Sequence, residues 1–270
     1  MVGKLILVQA RADSTAGSFV LDTGAPDLVL NPTYFRGYTP IEASDENQMS
    51  VVGQGGAVQK ITIQTLALGS FKYANAEASL VNLSAIENLR GVKILGLLGL
   101  ALFKDCEVII DYSKRLIYLH YINKKEAKTY AHPMLAQPDR YDAYSFDIRE
   151  SRMVLSTAIA DKKLNFVIDC AAENNLIDSR LPDRVMDSIS ISGRVVITGA
   201  GTNSIEAFSG TLAQLSVGTQ QLKNLPIIVT NLEKTCFGTL QCADGVLGYD
   251  FLARSVVAFN FVKQKIYIFK

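Results

Sequence analysis

The chain repeats itself, and this duplication limits its fold more than any other feature of the sequence. Phe19–Ala25 (FVLDTGA) matches Phe166–Ala172 (FVIDCAA) at an offset of 147 residues. Further on, Leu97–Phe103 (LLGLALF) matches Val246–Leu252 (VLGYDFL) at an offset of 149 residues, so the second copy carries a two-residue insertion. Matches that keep their order at a nearly constant offset indicate a tandem duplication, and 270 residues are enough for two homologous lobes.

The local patterns within each copy are typical of β-strands. Apolar and polar residues alternate along Ile61–Leu66, and Val108–Tyr112 is rich in β-branched residues. A charged turn at Ser113–Arg115 then leads into Leu116–Leu119, which predicts a hairpin. The sequence therefore predicts an all-β protein with few short helices. The helical signals lie at Pro32–Phe35, Leu100–Phe103, Pro182–Met186 and Phe251–Ala253.

A polar, basic segment separates the two copies. Residues 123–138 include Lys124, Lys125 and Lys128, and they carry neither the strand patterns nor the repeat. We therefore expect an N-terminal lobe at 1–122, a linker at 123–138 and a C-terminal lobe at 139–270.

Charge and hydropathy argue against several classes of partner. The net charge is +1, which does not suggest electrostatic binding of nucleic acid or of an acidic membrane. No apolar run reaches the roughly 18 residues that a membrane-spanning helix needs. We expect neither a nucleic-acid partner nor a membrane span.

The cysteines and histidines match no familiar reactive or metal-binding pattern. The four cysteines have no zinc-site spacing, and both histidines lie far from any suitable serine or cysteine nucleophile. Cys236 and Cys242 bracket a loop-like segment, where either a disulfide or two free thiols would fit. We therefore predict no metal and no cofactor.

The start of the chain does not decide the cellular compartment of the protein. Met1 is followed almost directly by the apolar segment Leu5–Val8, which suits a cytoplasmic protein or an exported one that has lost its signal. Our expectation is a periplasmic or secreted protein whose signal peptide is absent from this chain.

The duplication predicts that two aspartates, one from each copy, lie close together. One aspartate after a buried strand, such as Asp22, is usually a turn residue. Asp22 and Asp169 are equivalent, however, and equivalent points near a pseudo-two-fold axis meet. Two adjacent carboxyls share a proton, so one can activate a water while the other donates to a carbonyl.

These motifs resemble the aspartic proteases over essentially the whole chain, twice. The sequence DTGA at Asp22–Ala25 is most similar to the retroviral proteases and their bacterial relatives, and LLG at 97–99 and VLG at 246–248 are similar to the family's second element. The resemblance implies a single chain that mimics the retroviral dimer: two pepsin-like or retropepsin-like β-barrel lobes, related by a pseudo-two-fold axis. It also implies a cleft between the lobes, a peptide or unfolded-protein substrate, a monomer, and no cofactor. The implied site residues are the catalytic Asp22 and Asp169 and the supporting residues Thr23, Gly24, Ala25, Cys170, Ala171 and Ala172.

The resemblance also implies flaps over the cleft. Each lobe has a glycine-rich stretch between strand-like runs, as the tip of a mobile hairpin would have. Neither stretch carries the tyrosine of pepsin-like flaps, and two ordinary hairpin turns would look the same. The implied flap residues are Gly53, Gln54, Gly55 and Gly56 in the first lobe and Gly199, Ala200 and Gly201 in the second.

The second motif departs from the family pattern. Cys170 replaces a hydroxyl residue that braces the two loops, and a thiol is a weak donor, which predicts a weaker brace. Ala171 replaces a glycine, which is harmless in β-like backbone and strained at positive φ. Cys170 could be redox-sensitive, but a neighbouring carboxylate disfavours the thiolate, which favours a small buried apolar role.

Three functions follow from these observations. The first is an aspartic endopeptidase that uses Asp22 and Asp169. The second is a catalytically impaired pseudoprotease that binds peptides or another ligand in the same cleft, because its second motif is Asp-Cys-Ala. The third is a structural domain of a larger assembly. Asp111 and Asn260 are also equivalent positions, and because one is an amide we expect a structural role for them.

Overall fold

The structure is a computed structural model, and it describes residues 1–44, 49–50, 53–54, 58–198, 204–233, 236–237 and 241–270. Its strands, in chain order, are β1 Leu7–Ala12, β2 Thr15–Leu21, β3 Leu28–Leu30, β4 Ile41–Ser44, β5 Met49–Ser50, β6 Gly53–Gln54, β7 Val58–Leu68, β8 Phe71–Leu80, β9 Gly96–Leu98, β10 Cys106–Asp111, β11 Leu116–Tyr121 and β12 Tyr141–Ser145. The second half continues with β13 Asp147–Arg149, β14 Arg152–Ile159, β15 Lys162–Ile168, β16 Leu176–Asp178, β17 Ile189–Thr198, β18 Ser204–Val217, β19 Gln220–Thr230, β20 Cys236–Phe237, β21 Gln241–Cys242, β22 Gly245–Leu247, β23 Val257–Asn260 and β24 Lys265–Phe269.

Helices are few and short, as the sequence predicts. Leu100–Phe103 is a 3-10 helix, and helices form close to the other two later signals. Pro32–Phe35, in contrast, forms hydrogen-bonded turns rather than a helix. The α-helices within the described ranges are α1 Ser84–Arg90, α2 Asp183–Met186 and α3 Tyr249–Leu252, and further 3-10 helices span Pro133–Leu135 and Pro138–Arg140.

Each lobe is built on a closed ring of six strands. In the first lobe the order is β1-β2-β9-β3-β8-β7, and a further β1–β7 pairing closes the ring. In the second lobe the order is β14-β15-β22-β16-β19-β18, and a β14–β18 pairing closes it. The two rings use equivalent strands in the same order, so the all-β fold of two homologous lobes is confirmed.

The third large sheet is shared between the lobes. Its order is β11-β10-β23-β24-β12, and it includes the hairpin predicted after Val108. Ile109 of β10 lies directly opposite Ala258 of β23, and these residues are equivalent at the repeat offset of 149. The pseudo-two-fold axis therefore passes between Ile109 and Ala258. Leu135 of the segment between the lobes is buried against both, so that segment packs on the axis.

One large apolar core runs through both lobes. It contains residues from both rings and from the shared sheet, and it includes Cys170 beside the second aspartate. The lobes are thus packed together as one body, with Phe19 and the equivalent Phe166 fully buried. Among the residues that the structure describes, no helix is long and apolar enough to span a membrane.

Candidate active site

Both predicted aspartates lie where a central strand of a lobe ends. Asp22 follows β2 and donates its backbone N–H to Leu98 of β9, with an N···O distance of 3.1 Å. Asp169 follows β15 and donates its N–H to Leu247 of β22, at 3.0 Å. The strands β9 and β22 carry the apolar-apolar-glycine elements, so these elements fix the backbone position of each aspartate.

Each carboxylate is held by two amides of its own loop. We call residues 22–27 the first catalytic loop and residues 169–174 the second. In both loops one carboxylate oxygen, Oδ1, accepts the N–H groups of the residues two and three positions later. The distances to Asp22 are 2.9 Å from Gly24 and 2.9 Å from Ala25, and those to Asp169 are 2.8 Å from Ala171 and 3.1 Å from Ala172.

The two loops brace each other through the residues that follow the aspartates. Thr23 Oγ1 donates to the carbonyl of Ile168 at 3.2 Å, and Cys170 Sγ donates to the carbonyl of Leu21 at 3.2 Å. Cys170 also donates its backbone N–H to Thr23 Oγ1 at 3.0 Å. Both halves of the brace are therefore present. The thiol half remains the weaker one chemically, because S–H is a poor donor.

The first loop approaches the second very closely. A Cβ added to Gly24 would lie 2.4 Å from the Cγ and Oδ2 atoms of Asp169, so only glycine fits there. The equivalent Ala171 has room for its Cβ, which packs on an apolar cluster of the first lobe that includes Val20 and Leu97. Ala171 is not among the residues with positive φ, so its replacement of glycine causes no left-handed strain.

The two carboxyls perturb each other. Burial, followed by the charge of Asp169, raises the pKa of Asp22 to about 8. Burial also raises the pKa of Asp169, although the amides of Ala171 and Ala172 and a hydrogen bond with Asp22 oppose that shift. Two adjacent buried carboxyls of this kind share a proton and titrate as a pair. The hydrogen bond between them raises the pKa of Asp22, which is also the more buried of the two, so Asp22 is the donor in that bond.

Two further side chains act on this pair, and no pattern in the sequence marks them. Tyr112 is buried, and its hydroxyl has no hydrogen-bond partner among the described residues. Burial, together with the nearby Cys170 and Asp169, raises the pKa of Tyr112. Burial lowers the pKa of Arg152, and the charge of Asp169 opposes that shift. Only the three-dimensional fold brings Tyr112 and Arg152 to Asp169.

Cys170 is fully buried, as a small apolar residue would be. Burial and the adjacent Asp169 raise the pKa of its thiol, which disfavours the reactive thiolate. Cys106 is also free and buried, while Cys242 is disulfide-bonded. The β20–β21 ladder places Cys236 directly opposite Cys242, where the sequence allowed a disulfide.

Most of the predicted flap residues lie outside the described residues. Gly53 and Gln54 form β6, which pairs with Met49–Ser50. In the second lobe the β17–β18 ladder extends as far as Thr198 opposite Ser204. Gly55, Gly56, Gly199, Ala200 and Gly201 fall outside the described part of the chain, and their flap role remains a prediction.

The second pair of equivalent polar residues has a turn-forming role. Asp111 Oδ1 accepts the N–H of Lys114 at 2.9 Å, and Asn260 Oδ1 accepts the N–H of Lys263 at 2.8 Å. Both side chains are buried and end equivalent strands in the same way. Within the described ranges, no group of three or more histidine, cysteine or acidic residues is placed to hold a metal ion.

Fold and site together define a class of protein: a two-lobed β protein with one braced carboxyl from each lobe. A family model described as Aspartyl protease matches residues 8–102 and, a second time, residues 155–251, which together cover more than two thirds of the chain. The chain therefore belongs to the aspartyl protease family, as a tandem-duplicated, retropepsin-like member. This confirms the resemblance drawn from the motifs and supports a protease-type function. No curated protein matches the chain.

Proposed function

We propose that the protein is an aspartic endopeptidase in which Asp22 and Asp169 hydrolyse peptide bonds. The observation that carries this proposal is the pair itself, since two equivalent loops hold two carboxyls that share one proton. The thiol of Cys170 keeps the brace in place despite the altered motif. This favours an active site over the pseudoprotease alternative.

The hydrogen bond between the two carboxyls assigns the roles, because it raises the pKa of Asp22 and opposes the rise in the pKa of Asp169. Asp169, which accepts the hydrogen bond from Asp22, takes a proton from a water, and the water oxygen then bonds to the carbonyl carbon of the substrate. Asp22 donates its proton to the carbonyl oxygen, which gives a neutral tetrahedral intermediate. When the C–N bond breaks, Asp169 returns its proton to the leaving nitrogen, and Asp22 recovers a proton from the hydroxyl.

The substrate is an extended peptide or an unfolded protein segment in a cleft between lobes 1–122 and 139–270. The glycine-rich segments 53–56 and 199–201 serve as flaps over it. The working unit is a monomer, because one chain supplies both aspartates. A non-catalytic peptide-binding protein is the second candidate, and the Asp-Cys-Ala motif at residues 169–171 is the feature that favours it.

The test is cleavage of a diverse unfolded peptide mixture between about pH 3 and pH 8, with products identified by mass spectrometry. Wild type is compared with Asp22→Asn, Asp169→Asn and the control Asp147→Asn, whose carboxylate is exposed. We call Asp22 and Asp169 the dyad. We expect the same products from wild type and the control, and none from either dyad variant. Folded wild-type protein that cleaves nothing would favour the peptide-binding function, and products that survive both dyad variants would come from a contaminant.

A further inference from the structure

Two ion pairs cross from the first lobe to the second, one to the second catalytic loop itself and one to helix α3, which is bonded to that loop. Lys4 Nζ lies 2.7 Å from Asp250 Oδ1 and also donates to Asn174 Oδ1 at 3.4 Å. Arg90, the last residue of α1, pairs with Glu173. The side chains of Arg90 and Glu173 are only 23% and 24% exposed, so solvent screens this pair less than a surface pair.

Both ion pairs act on the backbone that carries Asp169. Glu173 and Asn174 complete the second catalytic loop and follow Ala172 directly. Asp250 belongs to α3, whose first residue, Tyr249, donates its N–H to the carbonyl of Ala172 at 2.8 Å. Lys4 and Arg90 therefore tie this loop to the first lobe from two sides.

Among the residues that the structure describes, the first catalytic loop makes no ion pair with the second lobe. The duplication lets each charged residue be compared with its equivalent in the other lobe, and every equivalent is uncharged. The equivalents are Ser151 for Lys4, Thr239 for Arg90, Pro26 for Glu173 and Ala101 for Asp250. Within the described ranges, the ion pairs thus lie on the side of the loop whose motif is Asp-Cys-Ala, where the bracing hydroxyl is missing.

We propose that Lys4 and Arg90 are positioning residues that hold the second catalytic loop, and with it Asp169, against Asp22. They supplement the brace in which Cys170 supplies a thiol instead of a hydroxyl. This inference rests on the proposed function, because it assigns a catalytic purpose to the placement of Asp169.

The first test measures kcat and KM on one peptide that the wild type cleaves. For Arg90→Met we expect kcat to fall about tenfold while KM changes less than twofold. A tenfold fall corresponds to a rise of about 1.4 kcal/mol in the activation free energy, which we attribute to a misplaced Asp169. In a Cys170→Thr background, Arg90→Met should lower kcat less than about threefold, because a hydroxyl again braces the loop. Glu173→Gln provides a second variant if Arg90→Met does not fold.

The control is Arg149→Met, which removes an ion pair with Asp147 that lies wholly within the second lobe. We expect its kcat to match that of wild type in both backgrounds. An equal loss in Arg149→Met, or no rescue by Cys170→Thr, would overturn the proposal.

A readout that needs no activity follows the carboxyl carbons of Asp22 and Asp169 by ¹³C NMR titration. If Arg90 positions the loop, Arg90→Met should lower the upper pKa of the pair by about one unit or more, because the carboxyls separate and become hydrated. The other groups that face Asp169, namely Arg152, Tyr112 and Cys170, are unchanged in this variant.

The two readouts separate the two hypotheses. If the wild type cleaves nothing but Arg90→Met shifts the upper pKa of the Asp22–Asp169 pair, the proposed function is wrong. Arg90 would then still position the loop. An active wild type, with kcat and pKa both unchanged in Arg90→Met, would overturn the positioning role alone.

Discussion

At the scale of single residues, Gly24 and Ala171 show how the duplicated loops have diverged. They are equivalent positions, yet a methyl group is accommodated only in the second lobe. Gly24 faces the Asp169 carboxyl, while Ala171 faces apolar side chains of the first lobe. The family's glycine is thus needed at one position, and the departure at the other does not by itself mark an inactive protein.

The substitution Gly24→Ala should abolish cleavage and destabilise the protein by about 1–3 kcal/mol, since its methyl would overlap the Asp169 carboxyl. Ala171→Gly removes one packed methyl and should cost about 1 kcal/mol, with cleavage retained. Thermal unfolding and the peptide assay measure both. An active Gly24→Ala variant would contradict the close approach of the loops.

The dyad also predicts how stability depends on pH. The pKa of Asp22 is about 8 in the folded state and 3.8 when unfolded, so the folded state binds this proton more tightly. Its contribution is therefore fully present below about pH 4 and is lost as pH rises towards 8. Urea unfolding should show that Asp22→Asn gains stability relative to wild type over this range. A difference that stays constant from pH 4 to pH 8 would contradict the raised pKa.

At the scale of secondary-structure elements, the sequence predicts strands better than short helices. The hairpin of β10 and β11 follows from a β-branched run and a charged turn. Helix α1 lacks a strong apolar periodicity, and its signals lie at its two ends: Asn82, just before the helix, accepts the N–H of Ser84, and the C-cap Gly91 adopts the left-handed conformation. The helix predicted at Pro32–Phe35 does not form, and this segment makes turns instead.

The β20–β21 hairpin provides a test at this scale. With Cys242 disulfide-bonded and Cys236 opposite it, the denatured, unreduced protein should titrate two thiols, those of Cys106 and Cys170. Cys242→Ser should lower the unfolding free energy by about 2 kcal/mol, because the bridge closes a short loop. Ellman titration and urea unfolding check these values. If four thiols titrate without reductant, the disulfide is absent and this prediction is wrong.

At the scale of the whole molecule, the pairing of Asp22 with Asp169 was predictable because duplication places equivalent strand ends near one axis. The approach of Tyr112 and Arg152 to Asp169 was not predictable, because it depends on the packing of segments that are distant in sequence. The interlobe pairs of Lys4 and Arg90 were hidden for the same reason. They break the symmetry that the repeat suggests.

The tandem arrangement predicts how activity depends on concentration. Because one chain carries both aspartates, the rate per molecule should stay constant on dilution from micromolar to nanomolar protein, and sedimentation should give a mass near 29.5 kDa. A dimer with one aspartate per chain would lose activity as it dissociates. A rate per molecule that falls on dilution would therefore contradict a monomeric active site.

The most direct test of the central claim is a double-mutant cycle on the dyad, with kcat/KM measured on one cleavable peptide. If Asp22 and Asp169 act as one proton-sharing unit, Asp22→Asn, Asp169→Asn and the double variant should all lose activity to a similar extent. Losses that simply multiply in the double variant, or an Asn variant that retains activity, would show that the two carboxyls do not act as a pair.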